Sequence, residues 1–299
     1  MHSSDLVFDV ADTADSDVFH RFYDGYKKAF VLPEEMENEE GFSACLDLNH
    51  GAEGRRLAGL YGPFREICVV ARDRDNGAAV GGANLIAMPW VELGSEPLVL
   101  ANLNYIYLEE DQRGKAYFRP LVAGIYALVA GLFGRADSKA LIFIEQNDPI
   151  ALDDAAYARD THFTGMDQFD RLRIWAKVGA LYVDIPYIQP SLSSDHPPVD
   201  TLILSVLGAD GRSSLPVRLM RYHLERFFAI SVLKGAPINS NETAQNLIDW
   251  LHAMERQGKD VPLVDIRALL ASLGSSDTVR ALADKNARFR GLLSHSGVA

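Results

Sequence analysis

The pattern of hydrophobic and polar positions predicts a chain that starts with mixed helices and strands. Apolar residues spaced three and four apart within residues 16–30 are typical of an amphipathic helix. Residues 67–71 and 78–87 read as two strands, and Asn76-Gly77 between them is a strong signal for a hairpin turn. The first part of the chain therefore predicts an antiparallel sheet with helices packed on it.

The same pattern predicts five more strands before residue 208. They are residues 6–10, which precede the hairpin, and residues 98–108, 140–145, 181–188 and 201–207. Residues 167–178 are predicted to form a helix. Gly179 follows this helix and suits a C-terminal cap. This part of the chain therefore contains both helices and strands, as an α/β (α+β) fold does.

Beyond residue 208 the pattern becomes helical. Helical spacing is found in residues 217–233, 242–256, 263–273 and 278–293, without strand signals. We therefore predict two domains, residues 1–208 and an all-helical extension at residues 213–299. The extension would act as a lid over a substrate cleft, form a homodimer interface, or simply pack on the first domain.

Composition narrows the class of protein. Hydrophobic content of 48% and charged content of 23% are ordinary for a soluble globular protein. A net charge of −12 argues against a nucleic-acid partner, which requires a basic face. Cys45 and Cys68 are far apart, which fits a reducing compartment, and the apolar runs are too short or interrupted for a membrane span. We expect a cytoplasmic protein.

The segment from residue 98 to Pro120 carries the clearest chemical signal. A predicted strand leads into Arg113-Gly114-Lys115 and then into a long apolar helix. The first N–H groups of a helix lack intrahelical acceptors and carry partial positive charge, so they bind anions. If the helix begins near Ala116 or Tyr117, Pro120 lies in its first turn, where a missing N–H costs nothing. We expect residues 113–118 to hold a phosphorylated group.

In its order of elements, the chain resembles the GNAT superfamily of N-acetyltransferases over about residues 5–208. Leu108, five residues before Arg113-Gly114-Lys115, is similar to the end of the family's fourth strand and its pyrophosphate loop, Q/R-x-x-G-x-G/A. Residues 173–179, followed by a strand, resemble the family's Y-x-K-x-G-F segment. Residues 187–190 (Tyr-Ile-Gln-Pro) resemble a bacterial subgroup of larger members. The resemblance implies a mixed central sheet flanked by helices.

The resemblance also implies an activity: transfer of an acyl group from acetyl-CoA, or another acyl-CoA, to a primary amine by direct attack, without a metal. The acceptor would be a small molecule or a peptide. The residues that would bind the cofactor are Ile106, Leu108, Arg113, Gly114, Lys115, Ala116, Tyr117 and Phe118. The Leu108 backbone N–H would also stabilise the oxyanion, where the fourth and fifth strands splay apart.

Three residues depart from the family's pattern. Ala116 and Phe118 stand where it prefers Gly and then Gly or Ala, and Trp175 stands where a tyrosine often acts as the leaving-group acid. An indole N–H does not supply a proton at neutral pH. Tyr182 is a candidate replacement, with packing as its alternative role. Two other functions stay open: an N-acyl amino acid synthase that uses longer acyl chains, and a degenerate module that binds CoA or nothing.

Glu145 is the candidate general base. It follows an apolar run at residues 141–144, so its carboxylate would emerge at the end of a buried strand near the splay. The alternative is a structural ion pair with Arg171 or Arg173.

On the neighbouring predicted strand, Asn104, Tyr105 and Tyr107 would line the substrate side or pack. The acidic residues 33–40 form a surface segment or a lip that attracts a cationic substrate.

Overall fold

The computed structural model describes residues 6–32, 36–92, 96–134, 138–191, 197–283 and 288–295. Its contacts divide the chain into two compact units. The first consists of Met1–Ile142 together with Ala229–Ala236, and the second of Phe143–Phe228 together with Pro237–Ala299. These bounds differ from the predicted domains 1–208 and 213–299, which stay a prediction.

The first unit is an antiparallel sheet with helices. In chain order its elements are β1 (Leu6–Ala11), α1 (Asp17–Ala29), α2 (Glu39–Asp47), α3 (Gly51–Tyr61), β2 (Arg65–Asp73), β3 (Ala79–Trp90), β4 (Leu98–Leu108), α4 (Phe118–Gly131) and the start of β5 (Lys139–Asn147). The strand order is β1-β2-β3-β4-β5, and each neighbouring pair from β1 to β4 is antiparallel. The predicted hairpin between β2 and β3 is confirmed, with Gly77 at φ 72°.

Helix α1 shows how the sequence builds this unit. The Ser16 hydroxyl accepts a hydrogen bond from the backbone N–H of Phe19 at 3.1 Å, which caps the first turn. Phe19, Phe22 and Tyr26 then fall on one face of the helix and are fully buried. They pack with Phe42 of α2 and with residues of β2 and β4, so the sheet face under α1 is aromatic.

The second unit starts with the end of β5. Its further elements are α5 (Asp154–Thr164), α6 (Gln168–Lys177), β6 (Leu181–Val183), β7 (Leu202–Leu207), β8 (Ser214–Leu215), α7 (Val217–Arg226), α8 (Glu242–Arg256), β9 (Val261–Val264), α9 (Arg267–Ser272), α10 (Ser276–Leu282) and α11 (Arg288–His295). Its strand order is β5-β7-β6-β9-β8. Helix α7 continues into a π-helical segment, Phe227–Val232, which enters the first unit at Ala229.

The C-terminal helices are confirmed, as is a mixed α/β fold with a mostly antiparallel sheet, but the region from residue 213 onward is not all helical. β9 pairs antiparallel with β6, with Val264 opposite Tyr182, and with β8. The prediction of a helix over residues 263–273 was therefore wrong at its start. A strand of four residues is too short to show a period, and its pairing partner lies far away in the sequence.

The second unit has its own apolar core. α6, α9 and α11 contribute Phe169, Leu269 and Phe289, which pack with Tyr182 of β6. Asp148, just after β5, accepts hydrogen bonds from the backbone N–H of Phe289 at 2.9 Å and of Ile150 at 2.8 Å. A carboxylate that caps backbone N–H groups in this way holds α11 on the core.

Candidate active site

The segment after β4 forms a tight turn in the first unit. A short 3-10 turn, Glu110–Gln112, is followed by Arg113, whose N–H donates to the Glu110 carbonyl at 3.3 Å, and by Gly114 at φ 76°. Arg113, Gly114 and Lys115 are exposed, and the ammonium group of Lys115 lies 3.4 Å from the buried side chain of Gln112. The turn thus presents two cationic side chains to solvent, while the backbone N–H groups of Arg113 and Lys115 donate within it.

Ala116 adopts a backbone conformation that favours glycine. Its φ is 63°, in the left-handed region, at the position where the GNAT loop pattern has glycine. A residue with a Cβ in this region costs about 1–2 kcal/mol. Ala116 adopts this conformation although it carries a Cβ.

Helix α4 begins at Phe118, one or two residues after the predicted start at Ala116 or Tyr117. Pro120 lies in its first turn, as predicted. Within the part of the chain that the structure describes, no side chain caps this helix start. The first turn continues with Arg119, which is exposed. An uncapped helix start beside cationic side chains favours an anion.

Tyr117 fixes this turn to the β2–β3 hairpin. Its hydroxyl donates to the carboxylate of Asp73 at 2.7 Å, and this hydrogen bond lowers the pKa of Asp73 below its ordinary value. Asp73 also accepts from the backbone N–H groups of Asp75 and Asn76. The Tyr117 side chain is therefore occupied by a hydrogen bond within the protein. Its predicted contact with the cofactor would be made by its backbone.

The end of β4 lies against β3. Leu108 is opposite Gly81 and Ile106 is opposite Ala83. A Cβ placed on Gly81 would lie 2.1 Å from the Tyr107 carbonyl oxygen, so glycine is required for this close approach. The proposed backbone roles of Ile106 and Leu108 stay predictions.

A bulge interrupts β4 at Asn104. The register shifts there, since Asn84 is opposite Tyr105 while Leu85 is opposite Leu103. The Asn104 amide donates to the Asn84 side-chain oxygen at 2.9 Å, and Asn102 donates to Asn104 at 3.0 Å. A run of asparagine amides thus crosses two strands of the sheet.

The two tyrosines of β4 are packing residues. Tyr107 is 6% exposed, and its hydroxyl donates to the Phe22 carbonyl at 2.9 Å. The Tyr105 ring lies 4.9 Å from that of Tyr26, measured between centroids, and it also contacts Phe42. This agrees with the packing alternative from the sequence.

Glu145 lies near the end of β5, in the second unit, and is half-buried. Its carboxylate accepts a hydrogen bond from the hydroxyl of Tyr187. The two arginines considered as ion-pair partners bind elsewhere: Arg171 contacts Asp160 at 3.4 Å and Arg173 contacts Asp170 at 2.8 Å. The sequence did not predict the hydroxyl partner, and the role of Glu145 as a general base stays a prediction.

Tyr182 lies in the core of the second unit. It is 3% exposed, and its ring packs on Phe289 with centroids 5.7 Å apart. Burial, followed by the negative charges of Asp184 and Asp148, raises the pKa of its phenol above the ordinary value. Its contacts match the packing alternative, and its role as a leaving-group acid stays a prediction.

A second carboxyl group, Glu66, was not predicted as a site residue. It lies at the start of β2, is fully buried, and accepts a hydrogen bond from the Ser231 hydroxyl. Among the described residues its Oε2 has no hydrogen-bond partner. Burial raises the pKa of Glu66 to about 7, and the hydrogen bond from Ser231 opposes that rise.

The surroundings of Glu66 hold the π-helical segment on the first unit. The Cys45 thiol donates to the Ser231 carbonyl at 3.4 Å, and burial raises the pKa of this thiol. Lys234 pairs with Glu37 at 2.7 Å. Glu37 belongs to the acidic stretch 33–40, of which residues 33–35 lie outside the described residues. Glu37 therefore forms an ion pair, which the sequence did not predict.

Among the described residues, no group of three or more His, Cys, Asp or Glu side chains could hold a metal ion. Of the helices described, none has the length and apolar character that a membrane crossing requires.

No family model matches the sequence, and no curated protein matches it either. Its backbone is similar to that of a spermidine N-acetyltransferase from Vibrio cholerae, solved with CoA and spermine, at 10% identity, 69% coverage of this chain, 96% of that chain and a TM-score of 0.36. The similarity is to acetyltransferase structures.

Two further structures show the same level of likeness. A GNAT-family acetyltransferase from Streptococcus pneumoniae has 9% identity, covers 68% of this chain and 99% of its own, and gives a TM-score of 0.35. The NatC complex, bound to Gag peptide and CoA, has 10% identity, 68% and 98% coverage, and a TM-score of 0.31. At these values the functional proposal depends on the residues of this chain.

Proposed function

We propose that this chain is an acyl-CoA-dependent N-acyltransferase that transfers an acetyl group from acetyl-CoA to a primary amine. The observation that carries the proposal is the turn at residues 113–118, an exposed, uncapped strand-to-helix turn with two cations. The turn resembles the GNAT pyrophosphate loop in Arg113 and in its place between a strand and a helix, and it departs from that pattern at Ala116 and Phe118. The acceptor is a small molecule or a peptide amine.

The turn fits a pyrophosphate group in charge and in backbone geometry. Gly114 and Ala116 both have positive φ, a conformation found in turns that bind anions through backbone N–H groups. Arg113 and Lys115 add charge-assisted hydrogen bonds to phosphate oxygens, which are stronger than neutral ones. Phe118 must point its ring away from the phosphates for the backbone to approach them.

In the proposed reaction the amine nitrogen attacks the thioester carbon directly. A C–N bond forms, the C–S bond breaks, and CoA leaves as a thiolate that takes a proton from water. The amine loses a proton to the Glu145 carboxylate, which later releases it to water, so atoms and charge balance. The Leu108 backbone N–H is the proposed donor to the oxyanion of the intermediate.

Binding of CoA is the first test. A ligand that binds only the folded state raises its stability by mass action, so millimolar CoA and acetyl-CoA should raise the melting temperature. Acetyl-CoA consumption should then appear with at least one member of a panel of amines, amino acids, polyamines and peptides. Absence of any thermal shift with both ligands would contradict the proposal.

Two variants test whether CoA binds at the turn that contains Arg113 and Lys115. Arg113→Ala combined with Lys115→Ala should reduce the shift given by CoA while leaving the melting temperature of the free protein unchanged, since both side chains are exposed. Arg65→Ala is the matched control, an exposed arginine of the first unit whose partner is Asp12 at 3.1 Å. It should bind CoA as the parent does.

A further inference from the structure

We propose that Tyr187 is a positioning residue that holds the Glu145 carboxylate oriented and ionised, so that this carboxylate can accept the amine proton. This inference rests on the proposed N-acyltransferase function and deepens it. Neither the family pattern nor the sequence assigned Tyr187 a role in proton transfer.

The first support is the geometry of the pair. The Tyr187 hydroxyl donates to Oε1 of Glu145, across 42 residues of sequence, within the second unit. A buried phenol needs a hydrogen-bond partner, because an unpaired one pays the cost of desolvation. The carboxylate of Glu145 fills this need and is itself restrained by it.

The second support is the difference in burial between the partners. Tyr187 is 3% exposed, whereas Glu145 is half-buried at the end of β5. The phenol therefore sits on the protein side of the pair and the carboxylate on the side that reaches solvent. This arrangement is expected when a buried hydrogen-bond donor orients a base that is accessible to the substrate.

The third support is the direction of the proton within the pair. Burial, and then the negative charge of Glu145, raise the pKa of the Tyr187 phenol well above its ordinary value. The phenol therefore stays protonated and donates. Donation to a carboxylate stabilises its ionised form, which is the form that accepts a proton from an amine.

The segment around Tyr187 is held by several contacts. The Tyr187 backbone N–H donates to the Ile185 carbonyl at 2.9 Å, and Pro186 between them has a fixed φ. Two residues later Gln189 pairs with Val199. On its other side the Tyr187 ring lies 6.5 Å from the ring of Phe228, which is fully buried. A loop tied in this way can fix the orientation of its partner.

Tyr187→Phe tests the proposal because it removes the hydroxyl and keeps the ring. Turnover should fall by roughly tenfold or more, with the KM for acetyl-CoA unchanged. The acidic limb of the pH–rate profile should move upward by roughly one pH unit, because the ionised carboxylate loses its donor. A structural role alone would not move the profile. Combined with Glu145→Gln, the change should cause no further loss of turnover.

Tyr157→Phe is the matched control. Tyr157 is also a buried tyrosine of the second unit, 8% exposed, and its hydroxyl donates to the Asp167 carboxylate at 2.6 Å. Loss of this hydroxyl should leave the pH–rate profile in place. An unchanged profile and turnover in Tyr187→Phe, or an equal shift in both variants, would overturn the proposal.

A readout without turnover separates this inference from the proposed function. The 13C signal of the Glu145 carboxyl, assigned by its loss in Glu145→Gln, should titrate at higher pH in Tyr187→Phe than in the parent. Titration at the same pH would refute the pairing even if the chain acetylates amines. A shift in a chain that never binds CoA would support the pairing and refute the function.

Discussion

Two glutamates, one in each compact unit, accept a hydrogen bond from a hydroxyl, yet their settings differ. Glu66 is fully buried and its second oxygen has no partner among the described residues, whereas Glu145 is half-buried beside a buried phenol. Burial, opposed by the hydrogen bond from Ser231, raises the pKa of Glu66 to about 7. Of the two carboxyl groups, Glu145 is the one that reaches solvent, as a base that takes a proton from a substrate must.

The largest expected difference between these glutamates is in turnover. Glu145→Gln should lower the turnover of an identified amine by about 10²–10⁴-fold, the usual contribution of a general base. CoA should still raise the melting temperature of this variant. Glu66→Gln is the comparison variant and should keep turnover within a few-fold of the parent. Equal losses in both variants would remove Glu145 from the proposed mechanism.

The second difference is in the pH dependence of stability. Because the folded-state pKa of Glu66 is raised from 4.5 to about 7, the folded state keeps its proton while the unfolded state loses it. The contribution to the free energy of unfolding is full below about pH 4.5 and is lost as pH rises through 7. Its size is about 3 kcal/mol.

Urea unfolding at pH values from 5 to 8 measures this contribution. Glu66→Gln should flatten the decline in the free energy of unfolding, and Glu145→Gln should retain the decline of the parent. A parent curve that is as flat as that of Glu66→Gln would show that Glu66 does not titrate in this range.

A smaller effect is expected from the two hydroxyl donors. Ser231→Ala removes the hydrogen bond that the Glu66 carboxyl group accepts and should cost about 1–3 kcal/mol of unfolding free energy. Tyr187→Phe should cost less, because half-buried Glu145 retains contact with water. The urea midpoints of the two variants at pH 7 measure these costs. A larger loss of stability in Tyr187→Phe than in Ser231→Ala would contradict the view that Glu145 depends less on its hydroxyl partner than Glu66 does.

The smallest expected effect concerns the strained backbone of Ala116 in the exposed turn. Ala116→Gly should stabilise the exposed turn by about 1 kcal/mol, because glycine adopts φ 63° without a Cβ penalty. Ala127→Gly, at an exposed position within α4, should destabilise the protein by about as much. Changes of the same sign in the two melting temperatures would contradict the strained conformation of Ala116.

The local elements of the fold could be predicted from sequence because their signals are local. Asn76-Gly77 specified the hairpin, the alternating run at residues 98–108 matched β4, and Pro120 lay in the first turn of its helix as expected. The weakly amphipathic helices α2 and α3 were not predicted, because their glycines and alanines give little periodic signal.

The partners of the two glutamates could not be predicted, because each depends on distant residues. Ser231 lies 165 residues from Glu66, and Tyr187 lies 42 residues from Glu145. A single sequence shows that Glu145 ends an apolar run, but not which hydroxyl reaches it. β9 is a similar case, since its pairing with β6 is made across most of the second unit's sequence.

The central claim is that the turn at residues 113–118 binds the pyrophosphate of CoA. Calorimetric titration of CoA tests it most directly, with the parent protein compared with the double variant Arg113→Ala plus Lys115→Ala. The account predicts saturable binding to the parent and affinity roughly tenfold or more lower for the variant, from the loss of two charge-assisted contacts. Pantetheine, which lacks the pyrophosphate, should not distinguish the two proteins. No binding of CoA to the parent, or equal affinity for both proteins, would contradict it.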